Sequence, residues 1–494
     1  MKYLIGIDVG TTGTKSVLFD LAGHTVASAT REYPMSQPQN GWAEQDPALW
    51  WSAVCETLVE LTAKNDGEIV GVGLSGQMHS LVLLDGNNDV IRPAILWCDG
   101  RTGAECAQLE AMLTRERLVQ ITGNPALPGF TASKLLWIKK HEAEAFSRVA
   151  HILLAKDYIR YKLTGEYATD ASDASGMQLL DIRRRTWSKE VCQALGIDPC
   201  LLPAVCESPD LTGRVTAEAA ILTGLSVGTP VAGGAGDNAA AAIGMGVCQS
   251  GQAFTTVGTS GVVFAPTDAP VIDPQGRIHT FCAAVPGTWH VMGVTQAAGL
   301  SLNWFRKNLA SQYSYAALDR AANEVQIGAE RLLYLPYLMG ERTPILDPAA
   351  RGVFFGLSAK HTEAHMARAV MEGVSFSLYS CLEVIRQTGI LPTEMSLCGG
   401  GAKSDFWKAL LADVYGASVH IKSSSEGAAL GAAILAGCAV GAYSSVEEGC
   451  RATVRTKTTV SSDSDRHREY MKYYAIYKSL YPALKDSFAL LGTL

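Results

Sequence analysis

The chain is 494 residues long, enough for two or more domains, since a single core stops growing near ~250–300 residues. Hydrophobic residues make up 48% and charged residues 18%, an ordinary globular composition that excludes a disordered or collagen-like protein. Lys plus Arg number 41 against 48 Asp plus Glu, a net charge of −7 with no basic block. A general nucleic-acid binder is excluded, and an anionic ligand must be held by local dipoles or a metal.

Residues 3–9 read as a strand, Gly10-Thr11-Thr12-Gly13 as a turn, and residues 15–20 and 25–33 as further strands of a β-meander. The acid within the first apolar run and the missing h-region argue against a signal peptide. Asp46 suits an N-cap and Pro47 a first helical position. Trp50, Val54, Leu58 and Leu61 then give residues 48–63 a helical stripe. Residues 71–76 spell G-x-G-x-x-G, but residues 80–84 read as another strand instead of the helix a dinucleotide fingerprint requires.

The opening hairpin recurs in the second half. Residues 252–257, the turn Gly258-Thr259-Ser260-Gly261 and residues 262–266 repeat V-G-T-[TS]-G 248 positions on, half the chain length. This suggests a duplication into two α/β domains, residues 1–246 and 247–494, sharing a cleft. Residues 363–386 carry Met366, Val370, Val374, Leu378 and Leu382 on one helical stripe. A short strand at 396–398, then Gly399-Gly400-Gly401, then a helix over 404–415 would aim backbone N–H groups at a ligand. Residues 427–446 lack charge and are long enough for a bilayer. They are mostly Gly and Ala, which predicts a closely packed internal helix and no membrane contact. The 12 cysteines are scattered without a C-x-x-C, which predicts reduced thiols in a cytoplasmic protein and no structural zinc.

No Gly-Lys dipeptide, H-R-D or D-F-G occurs, which excludes a Walker A loop and a protein kinase. His361 and His365 have i, i+4 metal spacing but no third ligand, so they read as a solvated helix start. Asp8 ends a strand beside the glycine turn. It can hold Mg²⁺ through water while Gly10, Thr11, Thr12 and Lys15 cradle phosphate oxygens. Gly258, Thr259 and Ser260 can face them from the other half; alternatively, both turns are plain hairpins. Asp237 lies in Gly233-Gly234-Ala235-Gly236-Asp237-Asn238. It suits an N-cap, a base for a substrate hydroxyl, or both. His79, after Gln77 and Met78, can donate to a sugar hydroxyl or serve as an ordinary structural histidine.

At these residues the chain resembles the FGGY carbohydrate kinases of the actin-like superfamily. Residues 129–141 (GFTASKLLWIKKH) and 352–373 (GVFFGLSAKHTEAHMARAVMEG) fit two long signatures of that family. So do Ser75-Gly76-Gln77-Met78-His79, Trp97-x-Asp99-Gly100-Arg101, Lys156-Asp157-Tyr158 and Gly340-Glu341-Arg342-Thr343-Pro344. Ser80 and Ala235 depart from expected glycines. The resemblance implies two actin-like (ribonuclease H-like) ATPase domains facing each other across a catalytic cleft. It implies a first domain that binds sugar and a second that binds nucleotide, and it is compatible with a homodimer. The implied reaction is ATP-dependent phosphorylation of a ketopentose, D-xylulose at O5, with Mg²⁺. Asp237 is then the proton acceptor and Asp8 places metal and phosphates. Gln77, Met78, His79 and Asn238 contact sugar, and Gly399, Gly400, Gly401, Ala402 and Ser404 lie against adenosine. Glu341 and Arg342 receive no role. Alternatives are another ketose, a polyol or a sugar acid (ribulose, glycerol, gluconate). A sugar acid needs a cation, which Met78 does not supply and Arg101 could. From a different class, an actin-like nucleotide switch without a small substrate also explains the hairpins.

Overall fold

The computed structural model describes residues 1–64, 66–424 and 426–493. The opening meander forms: β1 (Lys2–Val9) pairs antiparallel with β2 (Gly13–Asp20), and β2 with β3 (Thr25–Glu32). In α1 (Pro47–Ala63), Asp46 accepts the Ala48 N–H at 2.9 Å. Pro47 opens this helix at no cost, because a first-turn N–H has no helical partner. β4 (Glu68–Gly76) runs parallel to β1, so the glycine fingerprint lies inside a strand.

β5 (Leu211–Arg214), β6 (Pro230–Ala232) and the short β7 (Ala235–Gly236) complete the first sheet, and α2 (Asp237–Gly244) follows directly. The sheet order is β5-β6-β4-β1-β2-β3, with β7 also on β4. The second half supplies β8 (Gln252–Val257), β9 (Gly261–Thr267), β10 (His279–Cys282), β11 (Trp289–Thr295) and the long α3 (Glu363–Gln387). Then come β12 (Glu394–Gly399), α4 (Asp405–Tyr415), β13 (Val419–Lys422), α5 (Gly427–Ala439), β14 (Thr456–Val460) and α6 (Ser464–Leu491). The second sheet order is β10-β11-β9-β8-β12-β13-β14. Strand for strand, β1, β2, β3, β4, β6 and β5 correspond to β8, β9, β11, β12, β13 and β14. Each corresponding neighbour pair has the same parallel or antiparallel sense. The repeat seen in a five-residue turn thus extends to the strand arrangement of both sheets, except at the edge, where β5 precedes β6 in the chain but β14 follows β13.

Alternation along β1 sends Ile5, Ile7 and Val9 against Trp50, Val54 and Leu58 of α1. The opposite face carries Leu4, Gly6 and Asp8. There α5, from the second half of the chain, covers the first sheet, while α2, from the first half, packs Ala242 on Phe254 and Phe264 of the second. The two helices touch each other, and small residues make this possible. A Cβ on Gly6 would lie 1.8 Å from the Ala429 carbonyl oxygen, on Gly73 1.8 Å from that of Ala432, and on Gly431 1.8 Å from that of Ala240. The uncharged Gly/Ala stretch is therefore an internal helix. Among the described residues no helix is long and apolar enough to cross a membrane.

The C-terminal segment stays with the second half. β14 extends its sheet, and Tyr470, Tyr474 and Tyr477 of α6 surround Phe376 of α3 at ring distances of 5.5–6.2 Å. His365 caps α3 together with Thr362, as a solvated helix start should.

Candidate active site

Both glycine turns sit at hairpin tips. In the first, the Gly10 N–H donates to the Gly13 carbonyl at 3.0 Å, and in the second the Gly258 N–H donates to that of Ser260 at 3.0 Å. Thr12 and Thr259 are exposed at the two tips. Each turn is braced from behind. Tyr33 Oη donates to the Gly10 carbonyl at 2.6 Å, and Gln45 Nε2 donates to that of Thr11 at 2.7 Å. In the second turn the N–H groups of Ala298, Gly299 and Leu300 donate to the carbonyls of Thr259 and Gly258. This bracing keeps the tips in place without consuming their outward faces.

The strand beside each hairpin ends in the second half of each site. Next to β8, the chain turns at Gly399, whose φ of +83° suits glycine. A Cβ there would lie 2.7 Å from the Val257 carbonyl oxygen, and one on Gly401 would lie 2.6 Å from Val257 Cβ. The three glycines let Gly399, Gly400, Gly401 and Ala402 lie flush against the second hairpin. Ser404 caps α4 by accepting the Trp407 N–H at 2.8 Å and donates to Asp319. Its hydroxyl thus serves the helix start.

Next to β1, β4 runs into Gln77, Met78 and His79. Gln77 was expected on the substrate, but it is 1% exposed. Its Nε2 donates to the Gly10 carbonyl at 3.3 Å, and its Oε1 accepts Ser80 Oγ at 3.0 Å and Thr11 Oγ1 at 3.4 Å. It fastens the phosphate-type turn to the sugar-type segment from the inside. Met78 packs against Gly236 and Gly176, where a Cβ would meet its side chain at 2.8 and 3.1 Å. His79 has a φ of +67° and places Nδ1 2.7 Å from the Gly176 carbonyl. A carbonyl only accepts, so Nδ1 carries the proton and Nε2 is an acceptor. Burial and the nearby Lys134 hold this imidazole well below its ordinary pKa, so it is neutral. The expected donor to a sugar hydroxyl is instead an acceptor.

Asp8 and Asp237 meet at the floor. Asp8 is half-buried and accepts Ser75 Oγ at 2.9 Å from the parallel strand. Burial raises its pKa, opposed by Ser75 and by Lys15 across the hairpin. Lys15 itself ion-pairs with Glu426 at 2.5 Å. Asp237 is the first residue of α2, not its cap, which is Gly236. Gly236 pairs with Gly76, so Asp237 emerges beside the end of β4. Its Oδ1 accepts the Asn238 N–H at 2.7 Å and Asn238 Nδ2 at 3.0 Å. Burial, then the charge of Asp8, pushes its pKa up to about 7.

Several supports were invisible in the sequence because they depend on register and tertiary approach. Trp97 is 40% exposed and donates through Nε1 to Thr11 Oγ1 at 2.9 Å. Lys134, fully buried, donates to the carbonyls of His79 at 2.9 Å and Gly129 at 2.7 Å, and burial lowers its pKa to about 7. Buried Lys156 bridges Asp157, Asp170 and Asp173 at 2.7–3.3 Å. Asp170 accepts the Ser172 N–H, and Ser172 Oγ accepts the Gly236 N–H at 3.3 Å. This chain anchors the residue just before Asp237. Arg101, a candidate cation for a sugar acid, is spent: its side chain is 1% exposed, ion-paired to Asp99 and Glu44 at 2.7 Å each and stacked 3.6 Å over Trp42. Among the described residues no group of three His, Cys, Asp or Glu side chains is arranged to hold a metal.

The chain matches known proteins in sequence and fold. Residues 3–244 match the N-terminal domain of the FGGY family of carbohydrate kinases, and residues 253–440 match its C-terminal domain. The chain is 40% identical to the xylulose kinase of Escherichia coli (strain K12) over 482 residues, 97% of this chain and 99% of that one. The crystal structure of xylulose kinase from Lactobacillus acidophilus superimposes with a TM-score of 0.95 at 31% identity, covering 99% of this chain and 100% of that one. Gluconate kinase from the same organism also gives 0.95 at 31%, covering 99% of each chain. The two-domain α/β architecture is therefore that of the actin-like sugar kinases, and the chain belongs to the FGGY family of carbohydrate kinases.

Proposed function

We propose that the protein transfers the γ-phosphoryl group of ATP to O5 of D-xylulose, giving D-xylulose 5-phosphate and ADP. The observation that carries this reading is Asp237: a carboxylate at a cleft floor, beside the sugar-type segment and Asp8, with a pKa near the working pH. Its Oδ1 is held by Asn238, which leaves Oδ2 to take the O5 proton. The deprotonating O5 attacks the γ-phosphorus in line and ADP leaves. Phosphoryl transfer has a loose transition state, so positioning and charge stabilisation do most of the work.

The first sheet binds the sugar, with Met78 as packed floor, His79 Nε2 accepting a hydroxyl and Asn238 at its edge. The second sheet binds the nucleotide, with Gly258, Thr259, Ser260 and Gly399 to Ala402 along it. This reading gives the sugar to residues 1–246 and the nucleotide to residues 247–494, although α5 of the second half covers the first sheet. Gly10, Thr11 and Thr12 meet the phosphates, and Lys15 reaches them by leaving Glu426. Asp8, with carboxylate oxygen Oδ1 fixed by Ser75, suits a Mg²⁺ that would keep most of its waters and rest mainly on substrate phosphates. When bound, Mg²⁺ neutralises phosphate charge. The twelve cysteines, all free, fit a reducing cytoplasm.

The likeness to xylulose and gluconate kinases is equal in fold, so the site must choose the sugar. Arg101 is sequestered and so is not free for a carboxylate, and the chain is 40% identical to a xylulose kinase against 31% to a gluconokinase, which favours the ketose. The test is coupled ADP release with MgATP and D-xylulose, L-xylulose, D-ribulose, L-ribulose, glycerol or gluconate. Turnover dominated by D-xylulose supports the reading. Dominance of another sugar keeps the chemistry and overturns the substrate.

A further inference from the structure

We propose that Arg342, from the second half of the chain, is a sugar-binding residue that grips the C1–C2 end of the ketose, the end remote from the phosphorylated hydroxyl. The proposal rests on the D-xylulose reading above and names a further part of that site.

Arg342 follows Glu341, whose carboxylate is 3% exposed and fixed on several sides. Oε1 accepts the backbone N–H of Gln296 at 2.9 Å and of Arg342 itself at 2.7 Å, while Oε2 accepts Thr295 Oγ1 at 2.6 Å and Ser377 Oγ at 3.2 Å. Thr343, the next residue, is tied down too: its N–H donates to the Val294 carbonyl at 2.9 Å, and its Oγ1 to that of Arg277 at 2.7 Å. The backbone on both sides of Arg342 is therefore immobilised. A buried carboxyl used to clamp a loop is a costly support, and the loop carries one long cation.

Among the described residues that cation has no ion-pair or hydrogen-bond partner for its head. The half-buried guanidinium makes no ion pair, not even with Glu341, and among the described residues it donates no hydrogen bond. Arg92 and Arg185, also half-buried, form ion pairs, with Glu44 and Glu142 and with Glu207 respectively, whereas Arg306 instead lies over the Tyr315 ring. A half-exposed guanidinium without protein acceptors is free to take the oxygens of a ligand.

Its surroundings say which ligand. Nη2 lies 3.9 Å from where a Cβ on Gly129 would stand, in the first half. Gly129 and His79 have their carbonyls fixed by the same Lys134 Nζ. The Phe130 ring packs against His79 at 4.7 Å, tilted, and edge-on to His279 at 5.8 Å. The Arg342 charge acts on His79 and His279, whereas the charge acting on Asp237 is that of Asp8. Arg342 therefore faces the sugar contact His79 and not the phosphoryl-transfer end. With O5 at Asp237 and the chain of the sugar passing His79, the oxygens left for a planar five-donor fork are those at C2 and C1.

The test compares wild type with Arg342→Gln and Arg342→Lys, both checked for an unchanged melting temperature. Sugar binding without nucleotide is read from quenching of the cleft tryptophan fluorescence, and KM values from ADP release. The expected result is a sugar Kd and KM raised about tenfold or more in Arg342→Gln, about the worth of one charge-assisted hydrogen bond. Arg342→Lys should recover part of the loss, and the ATP KM should stay within about twofold in both. An unchanged sugar Kd, or a rise confined to the ATP KM, overturns the proposal; the latter assigns the guanidinium to phosphate. The wild-type sugar panel separates the two readings. If gluconate outperforms D-xylulose, the D-xylulose reading fails. A sugar-specific Arg342 defect on gluconate would then keep the site and give it a carboxylate.

Discussion

Replacing Asp237 by Asn should abolish turnover and make the protein more stable. Asn keeps an Oδ1 that can accept the same two bonds from Asn238, so the helix start is undisturbed. What it loses is a carboxylate that burial and Asp8 disfavour, with a pKa of about 7 against 3.8 when unperturbed. An acid whose pKa is raised on folding binds its proton more tightly in the native state. Its ionisation therefore destabilises the fold as pH rises above the unfolded value. At ~1.36 kcal/mol per pKa unit, the cost of Asp237 is about 4 kcal/mol at pH 8, shrinking to about 2 kcal/mol at pH 5 and vanishing below pH 4. For a half of this size, each kcal/mol moves the melting temperature by roughly 2–4 °C. The assay is thermal unfolding of both proteins at pH 5 and pH 8, alongside ADP release. Asp237→Asn should melt higher at pH 8, with a gap that narrows at pH 5. A variant no more stable than wild type at pH 8, or a gap independent of pH, would refute the claim that the site holds this carboxylate against its charge. Retained turnover would refute its role as proton acceptor.

The same group sets the pH profile. kcat/KM for the sugar should rise with pH through about 7 and level off above it, because only ionised Asp237 accepts a proton. Since Asp8 raises that pKa, Asp8→Asn should move the acidic limb to lower pH, and a limb that stays in place would dissociate the two carboxylates. His79→Ala should raise the sugar KM by roughly tenfold, the worth of one hydrogen bond, and leave the ATP KM unchanged. Gly399→Ala should do the reverse. It puts a Cβ 2.7 Å from the Val257 carbonyl oxygen at a φ of +83°, so an unchanged ATP KM would show the glycine turn lies off the nucleotide. Gly73→Ala should fail to fold, since its Cβ would stand 1.8 Å from the Ala432 carbonyl oxygen; a native melting temperature would contradict the packing of α5 on the first sheet.

Local chemistry made much of this legible. The first meander, the Asp46–Pro47 helix start, both glycine hairpins and the long helix at 363–387 follow from turn residues, caps and periodicity, which act over a few positions. Local reading also rejected the dinucleotide fingerprint, because a strand follows it. It singled out Asp8, Asp237 and the glycine turns, and the structure puts each at a strand end or hairpin tip. It misjudged Gln77 and the proton of His79. Whether an amide points inward to brace Gly10 and Ser80, or an imidazole is fixed by the Gly176 carbonyl, depends on atoms far away in sequence.

By itself, then, the sequence determined the element types, the duplicated hairpins and the small-residue helix, since each is written in spacing and composition. Tertiary structure decided that α5, from the second half, packs on the first sheet and that α2 lies against it, with Ala242 reaching the core of the second sheet. It decided that Arg101 is consumed by Asp99 and Glu44, whereas Arg342 makes no ion pair among the described residues. The physical reason is the same in each case. A side chain's charge state and availability depend on what surrounds it, and burial and partners come from residues that only the fold brings near.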